Sequence, residues 1–147
     1  MAKKYIELGR SIIPLQANDK KPIGSWTKYQ TERMTPDEAF DYFTKNPDAN
    51  MGMVTGEISG ISVIDIDGKE GFDALSDAKS RLPDTTIVKT PRGWHYYYKY
   101  NPELKQGANR LEKVDIRNDG GYVVVPPSEI GGVHYTRAEF SGNKVSE

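Results

Sequence analysis

The chain has 147 residues, with 20 basic and 21 acidic side chains for a formal net charge of -1, and no cysteine. The length suffices for one domain with a hydrophobic core, and the missing cysteines exclude disulfides and thiolate zinc sites and favour a reducing, cytoplasmic setting. The balanced charge leaves nucleic-acid binding to local patches, and no stretch approaches the ~20 apolar residues of a membrane span. The N-terminus lacks the apolar core of a secretory signal, and we expect no membrane partner. The chain is either a whole small protein or one domain of a longer one.

The first 50 residues predict a small region of mixed helix and strand. The segment "KKYIELGRSIIPLQ" predicts a short helix or turn followed by a strand that ends near Pro14. The segment "NDKKPIGSWTKYQTERM" predicts a polar loop that carries one large aromatic residue, Trp26. A helix follows, because Thr35 and Glu38 can form a capping box around Pro36 at the first helical position.

The rest of the chain predicts a sheet with one helix packed on it. We expect the strands "GISVIDID", "TTIVKT", "HYYYKY", "KVDIR" and "YVVVPPS", a helix in "EGFDALSDAKSRL", turns at "PRGW" and "NDGG", and a last strand in "GGVHYT". This order of elements predicts an α+β domain built on a mixed or antiparallel sheet, with the helix after the first of these strands covering one face.

Two aspartates in the stretch "SVIDIDGKEG" lie one residue apart at the end of an apolar strand. Side chains alternate along a strand, so Asp65 and Asp67 share one face while Ile64 and Ile66 share the other. The two aspartate α-carbons are then roughly 6–7 Å apart, which lets both carboxylates bind one hard cation or a close pair of cations. Because buried carboxylates are costly, we expect the aspartate face to be open or charge-balanced and the isoleucine face to pack on helices.

Two further strands place polar side chains in the same way. In "KVDIR", Asp115 shares a face with Lys113 and Arg117, and in "HYYYKY", His95 shares a face with Tyr97 and Lys99. If these strands are neighbours, one sheet face collects the three aspartates and the histidine together with several cations.

This collection predicts a divalent-metal site that acts on phosphates. Three unpaired carboxylates repel one another and raise one another's pKa values, and Mg²⁺ or Mn²⁺ relieves the repulsion. Lys89, Arg92 and Arg117 suit the phosphate end of a substrate. Simpler interpretations stay open, namely a solvated aspartate pair, a structural His95 and ordinary solvated cations. The alternate tyrosines are expected in the core rather than on a base-stacking surface: Tyr96, Tyr98 and Tyr100.

The stretch "VIDIDG" also fits another motif, the DxDG signature of haloacid-dehalogenase phosphatases, in which the first aspartate accepts a phosphoryl group. That family favours Thr or Val after the glycine, where this chain has Lys69, and it needs a late acidic pair after a parallel strand. The late acidic residues here are isolated, so this interpretation is the weaker one.

Six motifs in order carry a more specific resemblance. They are "LGRSIIPL", "KKPIGSW", "NMGMVTGEISGISVIDIDG", "LPDTTIVKTPRGWHYYY", "VDIRNDGGYVVVPPS" and "GGVHY". Together they resemble the primase-polymerase (Prim-Pol) domain of the archaeo-eukaryotic primase superfamily, which occurs in replication proteins of plasmids and phages. Each motif is weak alone, but their order and spacing are specific.

The resemblance implies a template-dependent nucleotidyltransferase, a DNA primase/polymerase that uses Mg²⁺ or Mn²⁺. The family's acidic motif falls on Asp65 and Asp67, its hydrophobic-Asp motif on Val114 and Asp115, and its histidine motif on His95, which implies contact with the triphosphate of the incoming nucleotide. The implied partners are a DNA template or primer, a dNTP or NTP, and a helicase domain or protein.

The resemblance also implies one Prim-Pol domain over residues 1–147. It comprises an N-terminal αβ subregion (1–50), an RRM-like catalytic subregion (51–140) and a polar tail (141–147), with the active site between the two subregions. Two residues depart from the family pattern: Asp67 replaces the Glu of many relatives, and Gly93 replaces a common Ser.

Lys21 and Trp26 of the "KKPIGSW" motif are candidates to contact template or nucleotide, although Trp26 equally fits a packing role. An alternative of another class is a catalytically silent, RRM-like nucleic-acid-binding module. It accounts for the aromatic and basic residues but leaves three aspartates on one face unexplained.

Overall fold

A computed structural model describes residues 2–77, 85–111 and 113–137, and these residues form the predicted α+β fold. The helices are α1 (Ala2–Glu7), α2 (Pro36–Lys45) and α3 (Gly68–Asp77), with a short 3₁₀ helix at Thr27–Gln30. The strands are β1 (Ser11–Leu15), β2 (Asn50–Val54), β3 (Ile61–Asp67), β4 (Thr86–Lys89), β5 (Gly93–Lys99), β6 (Gly107–Leu111), β7 (Val114–Arg117), β8 (Tyr122–Val124), β9 (Glu129–Ile130), β10 (Val133–His134) and β11 (Thr136–Arg137). The end of the predicted helix in "EGFDALSDAKSRL", at 78–82, and the predicted tail at 141–147 lie outside the described residues.

Helix α2 begins as its sequence predicts. Thr35 Oγ1 accepts a hydrogen bond from the Glu38 backbone N–H at 3.1 Å, and the Glu38 side chain accepts one from the Thr35 N–H at 3.4 Å. Pro36 takes the first helical position, where no partner is needed for an N–H. The capping box and N1 proline are therefore confirmed.

The first sheet has the order β1-β2-β8, and β1 forms its edge. The prediction that a strand ends near Pro14 is confirmed, because β1 ends at Leu15, and Pro14 itself lies opposite Met51. Its carbonyl accepts a hydrogen bond from the Ile23 N–H on the outer side of the strand, so the missing proline N–H costs no bond to β2. Strand β2 begins at Asn50, and β8 follows much later in the chain. The first sheet therefore combines β1 with strands from the other side of the join expected near Asn50.

The second sheet has the order β11-β4-β5-β3-β7-β6, and every strand pair that the described residues form is antiparallel. Helix α3 connects β3 to β4 and covers the isoleucine face of β3, where a Cβ on Gly71 would stand 3.1 Å from Ile66 Cγ2. The central order β4-β5-β3-β7, with a helix after β3, is the arrangement expected of an RRM-like unit. Strands β2, β6 and β9 were not predicted from the sequence.

The hydrophobic core lies between the two sheets. Val63, Val88 and Tyr97 of the second sheet join Ile13 and Val123 of the first sheet in one buried cluster. The aspartate face of β3 is thus covered over its first half and opens only at Asp65 and Asp67. The tyrosine prediction is correct only in part: Tyr98 is buried and Tyr96 and Tyr100 half-buried, whereas Tyr97, on the opposite face, enters the main core.

No helix within the described ranges is long and apolar enough to cross a membrane.

Candidate active site

The register of three strands brings the predicted acidic residues and the histidine together. Asp65 of β3 lies directly opposite His95 on β5 and directly opposite Asp115 on β7. Directly opposed residues of an antiparallel pair have α-carbons roughly 4.5–5.5 Å apart and point to the same face. Asp67 follows on that face, so the three carboxylates and the imidazole form one continuous surface.

The turn between β4 and β5 places Arg92 beside Asp67. Thr90 Oγ1 accepts hydrogen bonds from the backbone N–H groups of Arg92 and Gly93, at 3.3 and 2.9 Å, which fixes the turn. Arg92 Nη2 then lies 3.2 Å from Asp67 Oδ2, with the arginine side chain 75% exposed. Gly93 is required here, because a Cβ at this position would stand 1.9 Å from the Ile66 carbonyl oxygen. The Ser of many relatives therefore has no room in this backbone.

Arg117 bridges the other two carboxylates. Its Nη2 lies 3.0 Å from Asp115 Oδ2, and its Nε lies 3.9 Å from Asp65 Oδ2. The side chains of Asp65, Asp115 and Arg117 are 24%, 25% and 32% exposed, so the cluster is only partly solvated. On its other side Asp65 Oδ1 lies 3.5 Å from His95 Nε2.

These cations set the charge state of Asp65. Burial raises the pKa of this carboxyl group, but the hydrogen bond and charge of His95, with the charges of Arg117 and Lys20, outweigh burial and leave the pKa below its ordinary value. The pKa increase expected of unpaired carboxylates does not apply to Asp65, because the protein supplies its own counter-ions and the aspartate face is charge-balanced.

His95 is the most enclosed member of the cluster, with a side chain 8% exposed. Its Nδ1 is buried and has no hydrogen-bond partner among the described residues, and its ring lies 6.0 Å from that of Tyr135. Burial, and secondarily the nearby Asp65 charge, raise the pKa of Tyr135 to about 12. His95 thus presents Nε2 to Asp65 from a tightly enclosed position.

A cavity of about 570 Å³ opens in front of these residues. Asp65, Asp67, Asp115, His95, Arg92 and Arg117 line one wall, and Lys20, Trp26 and Tyr122 line the other. The volume lies in the ~300–1,000 Å³ range of small-molecule sites. The cavity therefore pairs an acidic wall that carries its own cations with a wall that is aromatic and basic.

The second wall is held by the first sheet. The Tyr122 hydroxyl donates to the Lys20 carbonyl at 2.7 Å, and the Trp26 ring contacts the Tyr122 ring edge-on with centroids 5.1 Å apart. Trp26 also packs against the core, as its packing interpretation expects, and it lines the cavity, whereas its contact with template or nucleotide stays a prediction.

Two predicted cations lie elsewhere. Lys89 pairs with Trp94, which pairs with Ile66, so its side chain lies on the sheet face opposite Asp65. Lys21 is exposed, and among the described lysines it is Lys20 that lines the cavity. Alternation along "TIVK" puts Lys89 on the same sheet face as Ile87. Only the register with β5, which the sequence does not show, determines that this face is opposite Asp65.

Sequence reasoning missed several cavity residues, among them Lys20, Thr90, Tyr122 and Tyr135. Lys20 and Tyr122 are the first residues of the recognised segments "KKPIGSW" and "YVVV". Thr90 fixes the β4–β5 turn and Tyr135 contacts the His95 ring, roles that were not assigned from the sequence.

The donor chemistry fits a hard divalent cation, since three carboxylates share one face and two of them are direct cross-strand neighbours. Their side chains are nevertheless engaged by Arg92, Arg117 and His95, and no three His, Asp or Glu side chains within 2–77, 85–111 and 113–137 stand in a metal-binding arrangement. The backbone positions suit a metal, but the side chains must exchange these partners to hold one.

A family model described as "Bifunctional DNA primase/polymerase, N-terminal" (Prim-Pol) matches residues 2–145. The chain belongs to the Prim-Pol family. It is therefore a domain of the DNA primase/polymerase type of nucleotidyltransferase, whose substrates are DNA and nucleotides and whose members generally depend on a divalent metal. No curated protein matches the chain closely enough to add to this assignment.

Proposed function

We propose that this Prim-Pol domain extends a DNA strand in plasmid or phage replication by template-dependent nucleotidyl transfer at Asp65, Asp67 and Asp115. The observation that carries the proposal is the shared face of these three carboxylates, on the acidic wall of a cavity that Lys20, Arg92 and Arg117 also line. A 3′-hydroxyl attacks the α-phosphate of a nucleoside triphosphate, and pyrophosphate leaves.

The carboxylates would hold Mg²⁺ or Mn²⁺, which lowers the pKa of the attacking hydroxyl and neutralises charge on the leaving phosphates. Asp65 is kept ionised by its neighbours, so it is ready to bind a cation at neutral pH. Asp67 and Asp115 complete the acidic wall from neighbouring positions on the same sheet face.

Basic residues bind and orient the triphosphate. Two arginines of the acidic wall, the exposed Arg92 and the partly buried Arg117, offer planar guanidinium groups that match phosphate oxygens. Lys20 approaches from the opposite wall. His95 holds Asp65 in place through Nε2. Any contact of His95 with the triphosphate is made from this enclosed position beside the carboxylate.

The aromatic wall suits a base. Trp26 and Tyr122 line the cavity opposite the carboxylates, and aromatic rings stack on nucleobases with little sequence preference. Trp26 is therefore the residue that we assign to contact with the nucleotide or template base, in preference to Lys21.

A second candidate is the catalytically silent nucleic-acid-binding module. It gains one specific point from the structure, because the ion pairs of Arg92 and Arg117 neutralise carboxylates that would otherwise repel phosphate. Dependence of nucleotide incorporation on Mg²⁺ or Mn²⁺, tested on a primed template beside an unprimed control, separates the two functions. A DxDG phosphatase has less support, since β3 lies between two antiparallel neighbours.

A further inference from the structure

Arg117 holds a position that a divalent cation would have to share. Its guanidinium contacts Asp115 at 3.0 Å and lies 3.9 Å from Asp65, and all three side chains are at most one third exposed. Arg92, in contrast, is 75% exposed and pairs with Asp67 alone. A metal ion bound by Asp65 and Asp115 would stand within a few ångströms of a positive guanidinium, and like charges at that distance repel strongly in a partly desolvated site.

We infer that Arg117 is an internal counter-ion that occupies the cation position in the nucleotide-free protein and moves to the triphosphate when nucleotide binds. Metal and triphosphate then assist each other, because each removes an obstacle to the other. The inference rests on the proposed function and adds a coupling residue to it.

The chemistry of the guanidinium supports the exchange. Arginine binds phosphate oxygens in a bidentate manner as readily as it binds carboxylates, so the triphosphate offers Arg117 a new partner of the same kind. The metal in turn gives Asp65 and Asp115 a new counter-charge. By linkage, a triphosphate that tightens metal binding is itself bound more tightly by the same factor when metal is present.

The first experiment measures Mn²⁺ binding without nucleotide, by electron paramagnetic resonance of the free ion. We expect Arg117→Gln to bind Mn²⁺ roughly tenfold more tightly than the parent, within the ~5–150-fold range of typical coupling. Arg33→Gln is the matched control, because Arg33 is exposed, lies outside the cavity and carries the same charge, and we expect it to change the affinity by about threefold or less. Arg117→Lys keeps the charge but loses the fork, so we expect an intermediate tightening, and it carries the test if Arg117→Gln does not fold.

The second experiment measures tripolyphosphate and dATP binding calorimetrically in the presence of EDTA. We expect Arg117→Gln and Arg117→Lys to bind both ligands more weakly than the parent, opposite in sign to their effect on Mn²⁺. In the parent, the Arg117 Nε–H resonance, assigned by its loss in Arg117→Lys, should shift on addition of tripolyphosphate.

Three results would overturn the inference. They are unchanged or weaker Mn²⁺ binding in both Arg117 variants, equal tightening in Arg33→Gln, which would indicate a general charge effect, and unchanged binding of both phosphate ligands. Failure of the proposed function itself looks different, since it would leave Mn²⁺ binding and incorporation intact in Asp65→Asn and Asp115→Asn.

Discussion

Asp65 and Asp115 lie directly opposite each other in the antiparallel pair of β3 and β7. Like charges directly opposed across a strand pair are destabilising, so such a pair persists when a counter-charge compensates it. Arg117 and His95 supply that charge in this structure, and in the proposed function a divalent cation supplies it. On that proposal, the same two carboxylates connect the stability of the domain to its chemistry.

Asp65→Asn should lower the stability of the domain at neutral pH by about 1 kcal/mol, because charged hydrogen-bond partners lose strength when one becomes neutral. The folded-state pKa of Asp65 is below its unfolded value of about 4, so the carboxylate contributes stability that is fully present above about pH 4 and is lost as the pH falls through the folded value. Melting curves of parent and variant from neutral pH to about pH 2 should therefore converge at the acid end.

The control for this comparison is Asp41→Asn, which removes an exposed helical ion pair with Lys45, worth ~0.3–0.5 kcal/mol. A difference between parent and Asp65→Asn that stays constant over the whole pH range would contradict a lowered pKa. So would an Asn variant that is more stable than the parent at neutral pH.

His95→Ala should weaken nucleotide binding more than binding to single-stranded template. His95 contacts Asp65 within the cavity floor, and its side chain is too enclosed to reach a strand that follows the outer surface. His134→Ala is the control, because this second histidine is exposed on β10 and pairs with Glu129. Fluorescence titrations with a dNTP and with an oligonucleotide measure both affinities, and equal losses for the two ligands would indicate a purely structural role.

Gly93→Ala should destabilise the domain by roughly 1–3 kcal/mol or more, since overpacking of a well-packed site costs about this much. The added Cβ would stand 1.9 Å from the Ile66 carbonyl oxygen and 2.7 Å from the Gly68 nitrogen, both of them backbone atoms. Gly131→Ala is the matched control: it has open space around it and a φ of 61°, so it should cost only about 1 kcal/mol of backbone strain. Chemical denaturation compares the two, and a Gly93→Ala variant as stable as Gly131→Ala would mean that the β3–β5 contact is looser than described.

Sequence patterns predicted the elements that local chemistry determines. The capping box of α2, the strand alternation in "SVIDID" and "KVDIR", and the turn at "PRGW" depend on nearest neighbours along the chain, and each prediction agrees with the structure. The shared face of Asp65 and Asp115 followed from alternation together with the assumption that their strands are neighbours.

Features that depend on pairing between distant segments were missed. Lys89 turns away from the site because of its register with Trp94. The counter-ion role of Arg117 needs side-chain geometry that alternation alone does not supply. Lys20 was passed over in favour of its neighbour Lys21, since nothing in a polar loop indicates which lysine faces the cavity.

Template binding by this domain should be weak and should weaken further with salt. The net charge of -1 leaves only local cations such as Lys20 and Arg92 to displace counter-ions from the DNA backbone. Each phosphate contact on a single strand contributes a slope of about -0.7 to the dependence of log affinity on log salt, so we expect a slope of only a few units. Fluorescence anisotropy at several salt concentrations measures the slope, and an affinity that does not change with salt would contradict contact with phosphates.

The most direct test of the central claim is primer extension with Mg²⁺ or Mn²⁺, measured for the parent, Asp65→Asn, Asp115→Asn and the control Asp41→Asn. We expect both site variants to lose more than ~100-fold of the incorporation rate, because the loss of an outer partner of a metal ligand alone typically costs 10–100-fold. Melting curves establish that each variant is folded, and Asp41→Asn should extend the primer like the parent. Full incorporation by a folded Asp65→Asn or Asp115→Asn, or no metal-dependent incorporation by the parent, would contradict the account.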